Sequence, residues 1–77
     1  MRVRVVAFGP LTDIFAEQDL DLALPARASE IETHLNAAIP ELSAHRFSLA
    51  VDDALVGPDD LVESAREIAL LPPFAGG

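Results

Sequence analysis

The chain contains no cysteine, no lysine, no tyrosine and no tryptophan. Without cysteine there can be no disulfide, thiolate nucleophile, iron–sulfur ligation or cysteine-based zinc site. Without lysine, all five cations are arginine, set against thirteen acidic residues. The formal net charge of −8 and the pI near 4.3 argue against nucleic acid or an anionic membrane as partner, because both would repel the chain. A basic protein surface is the expected partner instead. No run approaches the ~18 uninterrupted apolar residues of a membrane span. Met1-Arg2-Val3-Arg4 opens no cleavable signal pattern, so the expected location is the cytoplasm. Two histidines, the carboxylates and a few hydroxyls are the side chains left for catalysis. That inventory furnishes a small active-site cavity poorly and points to a subunit or carrier.

At 77 residues the chain is one small domain, and its 51% hydrophobic content suffices for a core. A chain this short buries roughly 60% of the surface its unfolded form exposes. Arg2 to Phe8 alternates as a strand, with Val3, Val5 and Ala7 on one face and Val6 and Phe8 on the other. Gly9-Pro10 breaks it, and Leu11 to Phe15 can make a helical turn. Leu20, Leu22 and Leu24 alternate with Asp19, Asp21 and Ala23 as a second strand that stops at Pro25. Ser29 with Glu32 fits a capping box, with an earlier start near Arg27 as the alternative, and Ile31, Leu35 and Ala38 or Ile39 form the stripe of the only good helix, ended by Pro40. Phe47, Leu49 and Val51 alternate with Arg46, Ser48 and Ala50 as a third strand. Asp52-Asp53 is a turn into a short strand over Ala54 to Val56, followed by a Gly57-Pro58-Asp59-Asp60 loop. Glu67 to Leu71 is the last strand, stopped by Pro72-Pro73. One helix on a mixed sheet of four or five strands is an α+β roll. With the first and last strands central, it is the β-grasp arrangement. The folded unit is expected over residues 1–71, with residues 72–77 as a tail.

That tail is the informative segment. Ile68 to Gly77 holds no charged side chain in a chain that is 23% charged. Two prolines fix φ and favour an extended path, Phe74 supplies an apolar anchor, and Ala75-Gly76-Gly77 narrows to a tip without side chains beside the terminal carboxylate. Extended from Pro72 to Gly77, it reaches roughly 20 Å. Such a tip can thread a narrow channel and present its carboxylate to an enzyme.

Leu71-Pro72-Pro73-Phe74-Ala75-Gly76-Gly77 resembles the C-terminal signature of the molybdopterin synthase small subunit, a ubiquitin-like sulfur carrier of the MoaD/ThiS type. Arg4-Val5-Val6-Ala7-Phe8-Gly9 resembles that family's first strand, and Glu30 to Leu42 falls where it has its main helix. The resemblance implies that Gly77 is adenylated at the expense of ATP and converted to a thiocarboxylate whose sulfur goes to cyclic pyranopterin monophosphate. It implies three partners: a ubiquitin-activating-type adenylyltransferase, a sulfur donor protein and a large catalytic subunit. It assigns Gly76 and Ala75 to threading, and Phe74, Pro73, Pro72, Leu71, Phe8 and Val6 to partner binding. No side chain of the carrier acts as acid or base, and no cofactor or metal is bound by it.

The sequence departs from the family in three places. Ser64-Ala65-Arg66-Glu67 replaces an Asp-Gly-Asp-Glu-like turn, so that Ala65 would be strained if its φ is positive. Asp52 stands where the family often has asparagine, and Leu70 and Leu71 where it often has aromatics. A thiamine-type sulfur carrier and a ubiquitin-like interaction module without activation stay open as alternatives. Elsewhere, His34 and His45 lack metal-ligand spacing, Asp59-Asp60 reads as a turn, and Ser29 reads as a cap. Val6, Phe8, Ala69 and Leu71 form an apolar outer set that either packs under a loop or docks a partner.

Overall fold

The computed structural model describes residues 1–73. Strand β1, Arg2–Ala7, turns Val3, Val5 and Ala7 inward at 4% exposure or less. A 3₁₀ turn over Gly9–Asp13 buries Leu11 and leads to β2, Glu17–Asp21, antiparallel to β1. Strand β2 therefore lies several residues earlier than the leucine alternation suggests. Its register pairs Arg2 with Asp21 and Val6 with Glu17. Beyond Asp21 little of β1 remains to pair with. The Leu22 N–H donates to the Met1 carbonyl at 2.8 Å, and Leu22 then drops into the core from a loop. The Met1 ammonium donates to Asp21 Oδ1 at 3.0 Å and holds that carboxyl below the usual carboxylate range.

Two short strands, β3 (Ala26–Arg27) and β6 (Leu61–Val62), pair antiparallel as a second small sheet. This pairing explains a correction at the start of helix α1, Ala28–Ala38. Ser29 is not the cap but lies inside the helix, where its carbonyl accepts from Thr33 Oγ1. Arg27 holds the N-cap position, and its backbone N–H donates to Glu30 Oε1 at 2.8 Å. The β3–β6 pair brings the 57–60 loop against the helix start, so backbone carbonyls satisfy the first helical donors. Ala28 N–H donates to the Asp60 carbonyl and Ser29 N–H to the Pro58 carbonyl, both at 3.0 Å. The helix buries Ala28, Ile31 and Leu35. After Ile39, Pro40 opens a 3₁₀ turn over Pro40–Ala44 that buries Leu42.

Strands β4 (Ser48–Val51) and β5 (Ala54–Val56) form a hairpin across Asp52-Asp53. Strand β7 is Glu67–Leu71. The main sheet runs β2-β1-β7-β4-β5, with β7 parallel to β1 and antiparallel to β4. A mixed five-stranded sheet on one helix, first and last strands adjacent at its centre, is the β-grasp roll. Val5, Leu35, Leu42, Ile68 and Leu70 are fully enclosed between the sheet and the helical layer. Among the described residues no helix is long and apolar enough to cross a membrane.

The hairpin turn holds the answer to the Ala65 question. Asp52 and Asp53 have φ of 47° and 73° and are the only non-glycine residues with positive φ among those described. Ala65 carries no such strain; its methyl group is part of the core. Asp52 organises the rebuilt turn: Oδ1 accepts from the N–H groups of both Arg66 and Glu67 at 3.0 Å, and its own N–H donates to the Glu67 carbonyl. Asp52→Ala would lose both side-chain bonds and hold a left-handed backbone unaided. Its expected cost is about 2 kcal/mol in urea unfolding, with Asp52→Asn retaining most of the stability because its amide oxygen still accepts. Asp53→Gly should act in the opposite direction. An Asp-Gly pair suits a turn with two positive φ values, and a gain of roughly 0.5 kcal/mol is expected in the same measurement.

Candidate functional site

Because β1 and β7 are parallel, both end at the same edge of the sheet, and the chain leaves from there after Leu71. Phe8 N–H donates to the Leu70 carbonyl at 3.1 Å, the last rung between them. Gly9 follows with φ of +60°. A Cβ at this position would lie 3.0 Å from Pro72 Cγ, so the bare α-carbon gives the proline ring its place. Pro72 is half-buried and Pro73 exposed. The expected anchor Phe74, the threading residues Ala75 and Gly76, and the modified terminus Gly77 lie outside the described residues.

The face of the sheet turned away from the helix is built by strand register. Val6 pairs with Glu17 on one side and Ala69 on the other; Ala69 pairs with Ala50, and Ala50 with Leu55. One pleat nearer the tail, Leu71 pairs with Ser48. The predicted set of Val6, Phe8, Ala69 and Leu71 is thus brought together beside the tail base. Val6, Ala69 and Leu71 are half-buried, whereas Phe8 is 45% exposed. Two members were not predicted. Ala50 sits at the centre of the row but outside the main core, and Leu55 is 60% exposed at its end. Alternation in β4 does put Ala50 opposite Leu49 and Val51, but only the register reveals that it adjoins Ala69. Alanine at two central positions keeps this face shallow.

At its other end the same face is charged. Arg4 is in register with Asp19 and Glu67, and Arg2 Nε lies 3.8 Å from Asp19 Oδ2. These pairs are exposed and contribute little stability. The surface is therefore divided along β1, with Arg2 and Arg4 at one end and Val6 and Phe8 at the tail end.

His34 and His45 are exposed. Among the described residues no three His, Asp or Glu side chains gather as a metal site. A cleft of about 280 Å³ beside Leu22, Pro25, Ile31 and His34 lies by the start of β1, at the end away from the tail, and its Glu30 already serves the helix cap. What the arrangement can do is hold an apolar docking face and a chain exit side by side.

Comparison with known proteins agrees with this geometry. The ThiS family model matches residues 5–77. A Pyrococcus furiosus protein described as molybdopterin converting factor subunit 1 superposes with a TM-score of 0.79 at 15% identity, covering 96% of this chain and 99% of that one. The small archaeal modifier protein 1 of Haloferax volcanii superposes with a TM-score of 0.77 at 16% identity, covering 95% and 98%. A protein–protein complex of subunits 1 and 2 of molybdopterin-converting factor from Helicobacter pylori gives a TM-score of 0.63 at 24% identity, with both chains fully covered. These structures share the β-grasp fold, and the match across nearly the whole sequence makes the chain a member of the ThiS family, a sulfur carrier of the MoaD/ThiS type.

Proposed function

We propose that the chain is the sulfur-carrying small subunit of molybdopterin synthase. The observation that carries this reading is the uncharged Leu71-Pro72-Pro73-Phe74-Ala75-Gly76-Gly77 segment leaving the central strand β7 beside an apolar sheet face. A carboxylate is a poor electrophile. An activating adenylyltransferase joins the Gly77 carboxylate to the AMP moiety of ATP and releases pyrophosphate. Sulfur at the hydrosulfide level, supplied by a donor protein, then attacks the acyl carbon. The bond to AMP breaks, AMP leaves, and Gly77 carries a thiocarboxylate. The tail next enters the large catalytic subunit, where the sulfur passes to cyclic pyranopterin monophosphate. ATP is used by the activating enzyme, and this chain binds no cofactor of its own. The Helicobacter complex of two converting-factor subunits supports a large-subunit partner. The partner surface has an apolar centre for Phe74, Phe8 and Val6 and a basic rim for the acidic remainder. Thiamine-type sulfur carriage shares every step up to the thiocarboxylate. An assay with the large subunit and pyranopterin separates the two pathways.

The primary test is intact mass after co-expression with the activating enzyme and a sulfur donor: one oxygen should be replaced by sulfur, at Gly77. Deleting Gly77, or extending the chain beyond it with residues that are not processed off, should abolish loading and leave the melting temperature unchanged. Normal loading of the extended chain would sink the assignment. Gly76→Val should also fail in adenylation or transfer at unchanged melting temperature, because a side chain beside the reacting carboxylate spoils the near-attack geometry. Parallel losses of stability and activity would make Gly76 a structural residue instead. Phe74→Ala should speed dissociation from the large subunit at a cost of roughly 2 kcal/mol, while added salt mainly slows association. Stopped-flow kinetics at two ionic strengths measures both, and an unchanged dissociation rate would move recognition into the folded body.

A further inference from the structure

The last backbone rung before the tail is Phe8 N–H to the Leu70 carbonyl. Pro72 and Pro73 have no N–H, so the β1–β7 ladder cannot continue through them. The chain beyond Leu71 must be placed by packing, and Gly9 is the packing partner. An ideal Cβ at Gly9 would stand 3.0, 3.5 and 3.7 Å from Cγ, Cδ and Cβ of Pro72. Gly9 also holds φ of +60°, which L side chains rarely adopt. Two separate constraints, backbone conformation and close approach, thus fall on the residue opposite the first proline of the tail.

We propose that Gly9 is the positioning residue of the carrier tail: its bare α-carbon is the seat on which Pro72 lies, and that seat sets the direction in which the chain leaves the sheet. The proposal rests on the reading of the chain as a carrier that delivers its terminus to an enzyme. Its consequence is a lever effect. Were residues 72–77 fully extended, at roughly 20 Å, a tilt of about 10° at the base would move the tip by about 3.5 Å. Fewer encounters would then bring the terminus to the active site of the enzyme. Disturbing the seat should therefore raise KM for the carrier and leave kcat nearly unchanged, since the chemistry at Gly77 is the same once the tail is threaded.

Gly9→Asn separates the seat from backbone strain, because asparagine tolerates positive φ while still placing a Cβ against Pro72. Two measurements on the full chain are needed. By NMR, the wild type should show a cross-relaxation contact between Gly9 Hα and Pro72 Hγ, and in Gly9→Asn the Pro72 ring should shift while the amides of Val5 and Ile68 keep their slow exchange. In adenylation by the activating enzyme, well below the melting temperature, KM for Gly9→Asn should rise about tenfold with kcat within about twofold. Pro72→Ala removes the ring from the contact and does not depend on Gly9→Asn folding; because it also restores an N–H that can donate to the Phe8 carbonyl, hydrogen exchange of that amide is read alongside its KM. If both variants break one contact, the double variant should be no worse than the more affected single one. A missing wild-type contact, a wild-type KM for Gly9→Asn, or multiplicative effects in the double variant would each overturn the proposal. Wild-type chain that is never adenylated would instead overturn the carrier reading, and the NMR arm would still decide the seat.

Discussion

The parallel pairing of β1 with β7 at the centre of the sheet is the constraint on which the rest of the molecule depends. Parallel neighbours cannot be joined by a hairpin, so the intervening chain must cross over, and α1 covers one face in doing so. With β2 and β4 on their outer sides, both central strands are fully bonded, and Val5, Ile68 and Leu70 become the enclosed middle of the core. The same pairing makes the two strands end together. The chain therefore exits beside Phe8 and Gly9 instead of at the far end of the domain. A domain of this size has little core to spare, and its centre is the element from which the chain continues into Pro72 and Pro73.

The face opposite the helix shows how a small acidic protein can present an apolar row. Alanines at positions 50 and 69 let the strands lie under a shallow apolar row, while Phe8 and Leu55 stand clear of it. Arginine and carboxylate side chains collect further along β1 and β7. Glu17, in register with Val6, marks the β2 edge of the row, and charge nearer its centre would have to be desolvated by any surface packed on it. Ile68 to Gly77 carries no charged side chain either. Under the sulfur-carrier reading the reacting group is the terminal carboxylate.

Elements that follow from local pattern were legible in the sequence. The β1 alternation, the Ile31–Leu35 stripe, the Asp52-Asp53 turn and the β7 strand all appear where residue spacing puts them, and their order is compatible with the β-grasp arrangement that the strand pairing then establishes. Elements that depend on a distant partner were not. Strand β2 shifted because the start of β1 limits its ladder. Arg27 took the cap from Ser29 because β6, a strand too short to carry a periodic signal, brings loop carbonyls to the helix start. Ala65 escaped strain because Asp52, thirteen positions earlier, supplies the acceptor for that turn.

The site divides in the same way. The sequence by itself determined the tail's chemistry: two prolines that remove donors, one aromatic, and a glycine tip beside the carboxylate are properties of covalent structure and need no fold to express them. Only the tertiary structure decided what surrounds the tail base. That Leu55 extends the row begun by Val6, or that Gly9 lies under Pro72 across sixty-three positions of chain, depends on strand register and on crossover. Those are set by how the whole core packs, and no local spacing encodes them.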